Sequence, residues 1–146
     1  MIREFAQRTP DAPALLFKQD TLSYRMLEDA VNRVASGLRS LGVRRDERVG
    51  VYLPKQFETV IAMFGATAAG GVFVPINPIL KPEQVGHILR DCATTVLITS
   101  PDRARLLSDT LAECPDLAQV VLTGSEDAGS SGEHGISQCN WEQMLG

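Results

Sequence analysis

The chain has 146 residues, 44% of them hydrophobic and 22% charged, which suits one globular core and leaves too little for a second complete domain. Its 14 Lys and Arg against 18 Asp and Glu leave a formal net charge of −4, and the basic residues are scattered apart from Arg44-Arg45, which argues against a nucleic-acid groove. Charge begins at Arg3 in MIREFAQRTPDAP and no later stretch forms a long uninterrupted apolar run, so neither a secretory signal nor a membrane span is expected and the setting is read as cytoplasmic.

A short amphipathic helix is expected over residues 2–8. In ALLFKQDTLSY two apolar runs flank Lys18-Gln19-Asp20, a spacing suited to a small antiparallel hairpin. From Tyr24 to about Leu41, the residues Leu27, Val31, Val34, Leu38 and Leu41 recur at alternating spacings of four and three, the stripe of an α-helix, and Gly42 supplies its stop. A second helix, about residues 56–69, turns Phe57, Val60, Ile61, Phe64 and Ala68 inward, with many small residues beside them for close packing on a sheet.

Pro82 opens a third helix with Val85, Ile88, Leu89 and Cys92 facing inward. Ser100 caps a fourth, on which Ala104, Leu107 and Leu111 share a face. Between the helices lie four β-rich runs, RVGVYL (48–53), GVFVPI (71–76), TVLITS (95–100) and QVVLTG (119–124). That alternation predicts an α/β fold, a parallel βαβ sheet covered by helices on both faces, with the hairpin as an N-terminal accessory. The organisation expected is an α/β subdomain over 1–123, a polar loop over 124–139 and a short terminal helix over 140–146.

Candidate sites are few. Residues 124–131 fit the phosphate-loop pattern G-x-x-x-x-G-K-S/T except at the lysine, where Ser130 stands, and the glycine-rich continuation cannot present a helix terminus to an anion. Glu126 and Asp127 fall inside the loop, where a carboxylate about 4 Å from a phosphate charge costs about 1 kcal/mol in water-like surroundings and about 4 at an effective dielectric near 20. The segment reads as a polar, mobile connector. Gly70-Gly71 follows a helix and precedes a strand, the wrong polarity for anion binding, and reads as helix termination and tight packing.

Lys55 lies just past a strand, at the edge where parallel sheets place ligands, and reads as a solvated helix-entry lysine. His87 sits at the boundary of a helix face with no base partner nearby in sequence, and His134 lies in the connector. Arg90-Asp91 and the region 102–105 read as places for helix-surface ion pairs. Cys92, Cys114 and Cys139 lie far apart and do not combine with the histidines at metal-ligand spacing, so reduced thiols are expected, with Cys92 buried on its helix. No catalytic, cofactor-binding or metal-binding residue is assigned.

In order, TPDAPAL (9–15), LSYRMLEDAVNRVASGLRSLGV (22–43), DERVGVYLPKQFETVIAMFGATAAGGVFVPINP (46–78) and PEQVGHILRDCATTVLITS (82–100) resemble the start of AMP-forming acyl-CoA synthetases, members of the adenylate-forming superfamily. The most specific stretches are Leu22-Ser23-Tyr24 and AGGVFVPINP (69–78); PDLAQVVLTG (115–124) and NWEQMLG (140–146) extend the resemblance over nearly the whole chain. Residues 80–92 are similar to the acyl-CoA ligase branch associated with bacterial exosortase systems. Two departures concern local stability. Met26 stands where the family commonly has the Glu of a capping box, and Asp46-Glu47-Arg48-Val49 stands where it usually has Gly-Asp-Arg-Val.

The resemblance implies a parent enzyme of fatty-acid or related metabolism that joins a carboxylic acid to CoA through an acyl-adenylate, using ATP, Mg and CoA. The family's Pro-Lys-Gly phosphate loop, its Tyr/Phe-Gly-x-Thr-Glu motif, its ribose-binding aspartate and its C-terminal lysine are not found in residues 1–146. The chain therefore reads as part of the large domain of such an enzyme, inactive alone, with the remainder of the parent as its partner and self-association through an uncovered face as a consequence. Two alternatives stay open: an adenylation domain loading a carrier protein, and a stand-alone docking module.

Overall fold

Two antiparallel strands lead the chain into a sheet of five parallel ones. The computed structural model describes residues 1–124 and 133–146; the near-match to a phosphate loop after Gly124 and half of the expected connector lie outside the described residues. Helix α1 (Ile2–Arg8) precedes the hairpin of β1 (Pro13–Phe17) and β2 (Asp20–Ser23), as the two apolar runs predict. The Phe5 ring stacks on Tyr24 at 5.2 Å between centroids, and Phe17 meets Phe57 edge-on at 6.1 Å, so this accessory is pinned to the helices behind it.

Helix α2 (Tyr24–Ser40) starts where Ser23 accepts the Met26 N–H at 3.3 Å. It stops through Gly42 at φ 96, which lets Gly42 N–H donate to the Arg39 carbonyl and Val43 N–H to that of Leu38. Leu27, Val31, Val34 and Leu38 are all buried, the stripe that the spacing predicts.

The sheet runs β4-β3-β5-β6-β7, with β3 (Arg48–Tyr52), β4 (Val72–Pro75), β5 (Thr94–Thr99), β6 (Gln119–Leu122) and β7 (Ser137–Asn140). Between the strands run α3 (Phe57–Ala68), α4 (Pro82–Asp91), α5 (Pro101–Leu106) and α6 (Ser108–Ala112), and α7 (Trp141–Leu145) follows β7. Side-chain alternation divides the core in two. Val49, Val51, Val96, Ile98 and Val121 meet α2, α3 and α7, whereas Tyr52, Leu97, Val120 and Leu122 meet α4, α5 and α6. Pro75 is tolerated because β4 is an edge strand.

The structure differs from the sequence reading at four points. Strand β7 occupies the end of the segment assigned to a polar loop; SQCN has no apolar run, and an edge strand needs a partner on one side only. The inward face of α3 is Ile61, Ala62, Gly65 and Ala66, while Phe64 is 40% exposed. A Cβ on Gly65 would stand 2.4 Å from Val34 Cγ1, so α2 and α3 cross too closely for a large residue at the contact. The fourth helix is two, broken at Leu107 (ψ 0), although Ala104, Leu107 and Leu111 are buried as expected. Cys114, not Cys92, is the buried cysteine.

Two substitutions separate packing from backbone strain. Asp46 holds φ 65, a left-handed conformation that Asp tolerates better than most residues and glycine adopts freely, so Asp46→Gly is expected to stabilise the chain by no more than about 1 kcal/mol. Gly65→Ala is expected to cost about 1–3 kcal/mol by forcing α2 and α3 apart. Urea unfolding followed by circular dichroism reads both.

Candidate functional site

From β3 the chain crosses to β4 on one side and then returns past β3 to β5 on the other. The direction of winding therefore reverses between β3 and β5, and the crevice at the carboxyl ends of strands flanking such a reversal is where open α/β sheets take ligands. Leu53, Pro54 and Lys55 follow β3 at this edge, residues 76–81 follow β4, Ser100 follows β5, and Thr123 follows β6.

Several polar groups here are tied to backbone. Thr99 Oγ1 donates to the Tyr52 carbonyl at 2.7 Å, and the Thr123 N–H donates to the Thr99 carbonyl at 2.9 Å, locking three strand ends together. The Tyr52 hydroxyl donates to the Leu80 carbonyl at 2.8 Å. The Arg103 guanidinium lies over the Tyr52 ring, 5.1 Å from its centroid, and one Nη donates to the Pro78 carbonyl at 3.4 Å. Asn77 Oδ1 accepts from the Ile79 N–H at 3.1 Å, closing a turn. Residues 77–80 are thus held at both ends by side chains from β3 and α5. Sequence reasoning passed over Tyr52 and Arg103. The one legible signal was a tyrosine at the end of an otherwise apolar strand, whose hydroxyl must find a partner at the sheet edge.

The residues singled out in the sequence are not brought together. Lys55 is exposed on the rim of a groove of about 540 Å³, beside Leu53, Thr59 and Met63. His87 is exposed on α4 and lines a different groove, with Leu80, Glu83 and Ile88. Gly70 takes φ 91 at the end of α3, and a Cβ on Gly71 would approach the Glu47 carbonyl oxygen to 2.9 Å, so the glycine pair serves termination and close packing. Arg90 pairs with Glu113 at 3.9 Å, not with Asp91, whereas Asp102 does pair with Arg105. Among the described residues no group of three His, Cys, Asp or Glu is arranged to hold a metal ion. None of the described helices is long and apolar enough to cross a membrane.

All three cysteines are free thiols. Burial pushes the Cys114 thiol above its ordinary range, partly opposed by the Arg90 guanidinium, and its Sγ donates to the Thr110 carbonyl at 3.4 Å. Burial likewise pushes the Cys139 thiol up. Neither environment activates a nucleophile.

The family described as AMP-binding enzyme matches residues 2–142. Surfactin synthase subunit 1 of Bacillus subtilis (strain 168) is 34% identical over 128 residues, which cover 88% of this chain and 4% of that protein. The anthranilate CoA ligase AuaEII, solved in complex with anthranoyl-AMP, superposes with a TM-score of 0.82 at 27% identity, over 99% of this chain and 27% of that one. Coronafacic acid ligase from Pectobacterium brasiliense shares the fold, with a TM-score of 0.88 at 19% identity over 99% of this chain and 28% of its own. The chain thus spans little more than a quarter of these ligases.

Tyr52→Phe is expected to leave the Leu80 carbonyl without its donor and to cost about 1 kcal/mol in urea unfolding. The thiols set a pH dependence. Their pKa values are higher folded than unfolded, so their contribution is complete below about pH 8.5 and is lost as pH rises through the folded-state values. The urea midpoint is expected to fall above that pH, less steeply in a chain carrying Cys114→Ala and Cys139→Ala.

Proposed function

Because the chain belongs to the AMP-binding enzyme family, we propose that its 146 residues are the scaffold segment of an ATP-dependent acid–thiol ligase. The parent reaction has two steps. A carboxylate oxygen attacks the α-phosphorus of ATP and pyrophosphate leaves; a thiolate sulfur then attacks the acyl carbon of the adenylate and AMP leaves. The observation that carries this reading is the superposition of 99% of the chain, hairpin and sheet together, on 27% of an anthranilate CoA ligase.

On this reading nucleotide binding falls to other residues of the parent. The hydroxyls of Tyr52 and Thr99 are committed to backbone carbonyls, and the Arg103 guanidinium is stacked on a ring. ATP, Mg and CoA would then be held by the rest of the parent, and the contribution of this segment would be to hold the carboxyl edge of the sheet in one geometry. Residues 77–80 are the part most directly fixed, by Tyr52 and Arg103.

A second reading concerns the acceptor. The 34% identity with surfactin synthase subunit 1 favours a carrier-protein thiol in place of CoA. The two readings share the adenylation step and part only at the thiol, and no acyl group is specified by either.

ATP–pyrophosphate exchange tests the division of labour. The purified chain is expected to give no exchange above the protein-free background with any member of a panel of carboxylic acids. Acid-dependent exchange by these residues alone would contradict the proposal.

A further inference from the structure

The edge where the strands begin, opposite the candidate site, carries charge that the ligase reading leaves unused. The registers bring these strand starts level, since Arg48 of β3 pairs with Val72 of β4 and with Thr94 of β5. At the entries of β3 and β4 four exposed arginines collect, Arg39, Arg44, Arg45 and Arg48. Arg39 lies in the last turn of α2, and one Nη donates to the Ala68 carbonyl at 3.3 Å. The Asp46 N–H donates to the Gly70 carbonyl at 2.9 Å, so residues 39–48 are drawn onto the end of α3 and the start of β4. None of the four arginines is in an ion pair among the described residues. Glu47 spends a carboxylate oxygen on the Arg44 N–H at 2.9 Å, and Asp46 and Glu47 together leave this half with an excess of positive charge.

The entries of β5 and β6 carry the opposite sign. Asp91 closes α4 ahead of β5, and Glu113 and Asp116 lie between α6 and β6, all three exposed. Arg90, 3.9 Å from Glu113, is the basic residue there, and Asp91 and Asp116 are in no ion pair among the described residues. Neighbouring strands stand about 4.8 Å apart, so the two halves are centred about 10 Å from each other. That is beyond ion-pair reach and near the screening length of about 0.1 M salt, so neither half neutralises the other. The edge is an electric dipole laid across the sheet, basic over β4 and β3 and acidic over β5 and β6.

That polarity selects the partner. An extended polyanion drawn to the arginines runs into Asp91 and Asp116, and a polycation drawn to the acids runs into Arg45 and Arg48. A surface with the same pattern reversed satisfies both halves, and a second copy of the chain presents it. A two-fold axis normal to the sheet and passing between β3 and β5 sets the arginines of each copy against the acids of the other, twice by symmetry. We propose that the chain forms a two-fold dimer through this edge, with Arg44, Arg45 and Arg48 of each copy facing Asp91, Glu113 and Asp116 of the other. Both carboxyl edges then point outward, so pairing leaves the candidate site open in each copy. The dimer needs neither nucleotide nor acyl substrate, and it stands or falls separately from the ligase reading.

Sedimentation equilibrium of the 146-residue chain tests this, at about 20 mM and about 500 mM NaCl. A monomer–dimer equilibrium is expected at low salt, its dissociation constant at least about tenfold higher at high salt. Two variants reverse one half each: Arg44→Glu with Arg45→Glu, and Asp91→Lys with Asp116→Lys. All four positions are exposed, and circular dichroism reports that the variants stay folded. Each variant alone is expected to be monomeric, because its two halves no longer differ in sign. An equimolar mixture of the two is expected to form a heterodimer, because each then supplies the sign the other lacks. Arg33→Glu with Lys55→Glu shifts the net charge equally at exposed positions away from this edge, and is expected to change the dimer dissociation constant by no more than about twofold. The proposal is overturned by a monomer at low salt up to millimolar chain, by a dimer that high salt leaves unchanged, by a dimer in either edge variant alone, or by edge variants that do not pair when mixed.

Discussion

A parallel strand at the centre of a sheet has no side that faces water. In β3, Val49 and Val51 point to one face and Tyr52 to the other, and β5 repeats the arrangement with Val96 and Ile98 against Leu97. Both faces must therefore be roofed, and the small residues determine how closely. Gly65 admits Val34 at the crossing of α2 and α3. Gly37 does the same for α7, since a Cβ there would stand 2.4 Å from the Met144 carbonyl oxygen. Helix α7 has only five residues and no stability of its own. Burial of Trp141 and Met144 and the reciprocal bonds between Asn140 and Gln143 hold it against α2.

Roofing both faces leaves the strand ends as the outlets for polar groups, and this is where the carboxyl edge acquires its character. Tyr52, Thr99 and Thr123 spend their polar atoms on neighbouring backbone, and Arg103 clamps the connection after β4 from above. On the proposed reading, such an edge is a mounting surface whose loops are held still for chemistry supplied by other residues of the parent.

Much of this frame is legible in the residues. The four-and-three spacing from Leu27 to Leu38 and the β-branched runs at 48–53 and 95–100 specify buried faces directly, because periodicity follows from which side chains must leave water. What periodicity cannot register is contact distance: Phe64 fits the helical stripe as well as Gly65 neighbours it, and only the approach of Val34 decides between them. Strand β7 was hidden for the opposite reason, since pairing with β6 is a backbone matter that Ser137 and Gln138 do not advertise. At the edge, Lys55 was visible as a residue after a strand, but its groove requires Met63 and Pro75 from two other elements. Arg103 had no signal, because its partners Tyr52 and Pro78 lie far from it in sequence.

The central claim is that these residues supply the frame of an adenylate-forming ligase and leave nucleotide binding to others. Calorimetric titration of Mg·ATP into the folded 146-residue chain tests it most directly. Heats of dilution alone are expected up to millimolar nucleotide, whereas a saturable one-to-one isotherm would contradict the claim.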